Sequence, residues 1–86
     1  MMNIREIANA FDMSVSRFAA YIGYSRQALY SEVPARNNVR GKAAIEMLDM
    51  RNHQLFAADQ ETAEKKFKAR ENAIRDLEKL LVKGGE

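Results

Sequence analysis

Proline breaks helices and glycine opens turns, yet this chain of 86 residues has one proline and four glycines. Two of the glycines, Gly84 and Gly85, fall in the C-terminal tail. Only Gly23, Pro34 and Gly41 can punctuate the rest. No stretch alternates with a strand period, and the apolar residues recur at helical intervals instead. The chain is therefore expected to be all-α. Ile4, Ile7, Ala8 and Phe11 fall on one stripe of a first helix, and Asp12 and Met13 lead out of it. Ser14 can cap a second helix, whose stripe is Val15, Phe18, Ala19 and Ile22. Gly23 stands where that helix must stop, because glycine enters a left-handed conformation without steric cost. Ser25 can cap a third helix only two residues later, with Ala28, Leu29 and Val33 facing inward. Pro34 ends it, since the residue before a proline is pushed out of helical geometry.

The segment "ARNNVRGK" reads as a polar, cationic connector in which Asn37 or Asn38 can cap the next helix. From about Val39 to Val82 the pattern is helical without a proline. One helix or two fit it, with a break near "FAADQE", where Asp59 can act as a cap. Phe56, Ala63, Phe67, Arg70, Ile74, Leu77 and Leu81 are spaced by seven and then by alternating fours and threes. That is a heptad seam, flawed by Arg70. A domain as small as residues 1–36 cannot cover such a stripe, so the seam is expected to need a partner, most simply a second copy. The expected organisation is an N-terminal helical domain over residues 1–36, a basic connector over 37–42 and a long helical oligomerisation arm over 43–82. The arm's dimer interface would be Phe67, Ile74, Leu77 and Leu81.

Composition narrows the function classes. The absence of cysteine excludes disulfides and thiolate metal sites. No apolar run approaches the roughly 18 residues that a membrane span requires. The opening "MMNIREIANAF" carries Arg5 and Glu6 inside its apolar pattern, which does not suit a signal peptide. A soluble, cytoplasmic protein is expected. Charge is unevenly placed: residues 1–42 hold six cations and three anions, and residues 43–86 hold eight cations and nine anions. A basic first half suits a polyanion. His53 is alone, without cysteine, so no metal site is expected there. Lys65, Lys66 and Lys68 are interleaved with glutamates as on a solvated helix face. Tyr21 and Tyr24 suit packing, and the methionines suit core filling. No nucleophile constellation and no glycine-rich phosphate loop is present, so neither an enzyme nor a cofactor, metal or small-molecule ligand is expected.

Two helices joined by a tight glycine turn, the second opening on polar residues, describe a helix-turn-helix. The stretch "SVSRFAAYIGYSRQALYSEV", residues 14–33, resembles the DNA-binding helix-turn-helix of the Cro/repressor-type family of small phage and bacterial regulators. That family's pattern has a small residue at its fifth place, glycine at its ninth and an apolar residue at its fifteenth. Ala19, Gly23 and Leu29 take these places, and "YSRQAL" looks like the family's usual opening of the recognition helix. The eighteenth place, usually apolar, is Glu32. The resemblance does not extend to the C-terminal half.

The resemblance implies a recognition helix that enters the major groove by its N-terminal end. Arg26 would meet a guanine edge and Gln27 an adenine edge, each in bidentate fashion. Ser25 would cap the helix and reach a phosphate, and Tyr30 and Ser31 would lie one turn on. Arg36, Arg40 and Lys42 would neutralise phosphates beside the groove. Sequence-specific binding of duplex DNA by a homodimeric transcriptional regulator, repressing by occlusion, is the expected function. The alternative is a protein-interaction module, an antirepressor or phage-encoded inhibitor, that uses the amphipathic C-terminal arm. A DNA-packaging or replication accessory protein with an oligomerising helix is a third reading.

Overall fold

The computed structural model describes residues 1–31, 38–58 and 63–82. Five helices follow one another: α1 (Ile4–Ala10), α2 (Val15–Tyr21), α3 (Arg26–Ser31), α4 (Val39–Ala58) and α5 (Ala63–Leu81). The described residues contain no strand, and the all-α expectation holds. The expectations for Glu32, Val33, Pro34, Arg36, Asn37 and Asp59 lie outside the described residues. No described helix is long and apolar enough to cross a membrane.

The short helices begin and end on local chemistry. Asn3 Oδ1 accepts from the Glu6 N–H at 2.9 Å, and the Glu6 carboxylate accepts from the Asn3 N–H at 3.1 Å. This capping box satisfies two donors at the start of α1. Ser14 Oγ accepts from the Arg17 N–H at 3.2 Å and caps α2 as expected. Both helices then close with the same pair of backbone bonds. The Met13 N–H reaches the Ala8 carbonyl at 3.1 Å, and the Asp12 N–H reaches that of Asn9 at 2.9 Å. The Tyr24 N–H reaches the Ala19 carbonyl at 2.8 Å, and the Gly23 N–H reaches that of Ala20 at 3.2 Å. Such a Schellman closure pivots on a left-handed residue. Gly23 has φ +80° at one pivot and Asp12 has φ +57° at the other. Aspartate is among the few side chains that tolerate that region.

The stripes converge on one core. Ile4, Ile7, Phe11, Phe18, Ala19, Ile22, Tyr24 and Leu29 bury together with Ala44 and Leu48 of α4 and with Ala73, Ile74, Leu77 and Leu81 of α5. The Phe11 and Phe18 rings meet at 5.9 Å. Helices α4 and α5 run antiparallel. Asn38 caps α4 by accepting from the Gly41 N–H at 2.9 Å and donates across to the Leu81 carbonyl at 2.7 Å. Farther along, Asn52 donates to the Phe67 carbonyl at 3.3 Å and accepts from Arg70 Nε.

The seam expected as a dimer interface is instead packed within the single chain. Helix α5 folds back along α4 and also packs on α1. The backbone N–H of Met2 adds a bond to the Asp76 carboxylate at 2.8 Å. Ile74, Leu77 and Leu81 are buried inside the single chain, so they offer no face to a second copy. Phe67 is half-buried and stands edge-on to Phe56 at 4.9 Å. Arg70, the apparent flaw in the seam, is 3% exposed and bonded to Asn52. The physical reason is that α4, with 20 residues against the 19 of α5, supplies a covering helix of matching length. Closing a hairpin within one chain costs less entropy than associating two chains. One hydrophobic cluster draws residues from all five helices.

Candidate nucleic-acid interface

Helix α3 is held by few of its own residues. Ser25 Oγ accepts from the Ala28 N–H at 3.0 Å and caps it. Leu29, 3% exposed, is its buried anchor, and Ala28 is half-buried. Arg26, Gln27, Tyr30 and Ser31 are exposed. Tyr30 keeps 56% of its surface in solvent. The Ser31 hydroxyl donates back to the Gln27 carbonyl at 2.9 Å, so its proton is committed to its own helix.

Arg26 does not stand alone. It lines a shallow recess together with Arg5, Asn9, Ser14, Val15 and Ser16. Two guanidinium groups and three small polar side chains thus share one surface made from α1, the start of α2 and the start of α3. Arg5 and Asn9 join the site without having been expected there. Their signal is present in the sequence: the stripe Ile4, Ile7, Ala8 and Phe11 turns positions 5 and 9 outward, one helical turn apart.

The expected phosphate contacts divide. Arg40 and Lys42 belong to the first turns of α4 rather than to a connector. Lys42 is exposed. The Arg40 guanidinium lies 3.8 Å from the centre of the Tyr24 ring, and its Nη2 donates to the Gly23 carbonyl at 2.9 Å. It therefore braces the turn between α2 and α3, with a cation–π contact worth about 0.5–1 kcal/mol at an exposed site. Arg36 lies outside the described residues.

Other chemistry is sparse. His53 Nδ1 lies 2.8 Å from the Asp49 carbonyl oxygen, and its ring meets Phe67 edge-on at 5.3 Å. Among the described residues no group of three or more His, Cys, Asp or Glu side chains is placed to hold a metal. No protein-family model, curated protein or solved structure matches the chain.

Proposed function

We propose that the chain binds duplex DNA sequence-specifically as a small transcriptional regulator, with α3 as the recognition helix. One observation carries this reading. Helix α3 commits Leu29 to the core and leaves Arg26, Gln27 and Tyr30 in solvent, with Arg26 beside Arg5. A helix that gives the fold so little has its outer sequence available for recognition. Arginine matches the acceptor pair of guanine, and glutamine matches the donor–acceptor pair of adenine. Arg5 and Lys42 suit phosphates flanking the groove. The interaction-arm alternative keeps only the outer face of α4, because the apolar stripe of α5 lies in the core.

A homodimer belongs to the same proposal, since two recognition helices read half-sites about 34 Å apart better than one. Its contact is assigned to the outer face of α4, where Val39, Met47 and Met50 are exposed. The direct test is selection of binding sites from random duplex with the full chain, followed by titration against salt. A selected site should be bound at least about a thousand-fold more tightly than random duplex. Absence of any duplex binding at about 50 mM salt would remove the proposal, because even non-specific binders reach Kd values of about 10⁻⁴–10⁻⁶ M at physiological salt.

A further inference from the structure

A second recess, of about 320 Å³, opens between the α1–α2 turn, α4 and the first half of α5. It shares no lining residue with the recess beside α3. Four cations line it, Arg17, Arg51, Lys66 and Arg70, against one carboxylate, Asp12. Arg70 is 3% exposed, and its Nη2 is buried without a hydrogen-bond partner. Arg51 is half-buried, and its Nε is also buried and unpartnered. A guanidinium does not shed its proton, so it cannot escape this burial by becoming neutral. An unpaired buried charge leaves the desolvation cost uncompensated until an oxyanion arrives.

The placement of Arg70 is built into the fold. Its Nε donates to Asn52 Oδ1, and Asn52, fully buried, donates in turn to the Phe67 carbonyl. These bonds fix the guanidinium plane, with Arg70 in the wall of the recess and its Nη2 buried and unpartnered. Phe11, Met13 and Leu55 supply apolar wall, which lowers the local dielectric and strengthens any ion contact made there. The volume falls at the small end of ligand sites, which run from roughly 300 to 1,000 Å³.

We infer that this recess binds a small organic anion. A phosphate or carboxylate head takes charge-assisted hydrogen bonds from the Arg51 and Arg70 guanidinium groups, and an apolar body lies against Phe11 and Leu55. The inference does not depend on DNA binding, and its test contains no DNA.

The probes are phenyl phosphate, benzoate and inorganic phosphate, each against sodium chloride at matched ionic strength. Thermal unfolding and amide NMR titration of the full chain are the readouts. Phenyl phosphate or benzoate should raise Tm and give saturable shifts at residues 11–13, 51, 55 and 70. The stronger of the two identifies the head group. Inorganic phosphate, lacking the apolar body, should bind at least about ten-fold more weakly. Arg70→Met and Arg51→Met should each weaken the better probe by about ten-fold or more. Should Arg70→Met fail to fold, Arg51→Met and the exposed Arg17→Gln carry the test. Arg75→Met, which removes an exposed cation outside the recess, should bind as the parent does. Responses no larger than those to sodium chloride overturn the inference, and so does an Arg51→Met variant that binds as tightly as the parent.

Discussion

At Gly41 two rules of helix chemistry oppose each other. Alanine in place of a helical glycine gains up to about 1 kcal/mol in an isolated helix. In the folded chain, however, Gly41 is buried, and a Cβ would stand 2.8 Å from Asn38 Nδ2 and 3.2 Å from the Leu81 carbonyl oxygen. Asn38 would have to withdraw, and with it the cap on the Gly41 N–H and the donor to Leu81. Losing a cap costs about 1 kcal/mol, and orphaning a buried carbonyl costs about 1–3 kcal/mol. Gly41→Ala is therefore expected to destabilise by about 1–2 kcal/mol in urea unfolding; a stabilised variant would mean that α4 and α5 approach less closely than described. Gly23 is a different case. Nothing lies within 4 Å of a Cβ there, and only the φ of +80° resists substitution. Gly23→Ala should cost about 1–2 kcal/mol by conformation alone. Gly23→Asn should cost clearly less, because asparagine tolerates the left-handed region. Equal losses for alanine and asparagine would assign the cost to packing instead.

Helix α3 can be tested as an element because its outward residues and its braces are different side chains. Arg26→Ala should cost about 1–3 kcal/mol on the selected DNA site and much less on random duplex. Lys42→Ala should weaken both DNAs alike and flatten the slope of log K against log salt by about one. Arg40→Ala should act first on stability, because Arg40 holds the Gly23 carbonyl and the Tyr24 ring. If Arg26→Ala weakened random and selected DNA equally, Arg26 would be a phosphate anchor and α3 would not read bases. The short helices are legible in the sequence because what forms them is local. Ser14, Gly23, Ser25 and Leu29 all hold the positions that their spacing predicts. Asp12 is less legible, because aspartate marks a left-handed pivot less plainly than glycine does. The α5 stripe is legible as a stripe, but an apolar face specifies only that something must cover it. Nor does any local signal join Arg70 to Asn52, 18 residues away, so a buried hydrogen-bonded pair reads as a defect in a seam.

At the scale of the whole molecule, burial of α5 moves the question of assembly to α4. Ile74→Asp with Leu77→Asp would place two carboxylates in the core of the single chain. The cost of several kcal/mol is comparable with the roughly 5–15 kcal/mol that holds a domain together. That pair should abolish cooperative unfolding and much of the helical circular dichroism rather than yield a folded monomer. A folded monomer from it would restore α5 as an interface. The face proposed for a second copy is the outer side of α4. Val39, Ala43, Met47, Met50 and Ala57, with Gln54 as the one polar residue among them, fall within an arc of about 80° at 3.6 residues per turn. Val39, Met47 and Met50 keep 78%, 40% and 64% of their surface exposed. A largely apolar stripe on one side of a helix whose other side already meets the core is what the proposed two-fold contact would cover. Met47→Glu with Met50→Glu would oppose four carboxylates across such an axis while leaving the core untouched. Stability of each chain should change by no more than about 0.5 kcal/mol per exposed site. Light scattering at about 100 μM should then report a dimer for the parent and a monomer for the variant, as expected when a self-association with a Kd of about 10 μM loses its apolar contact. A monomeric parent would sink the homodimer, and a variant that stayed dimeric would place the contact on another face.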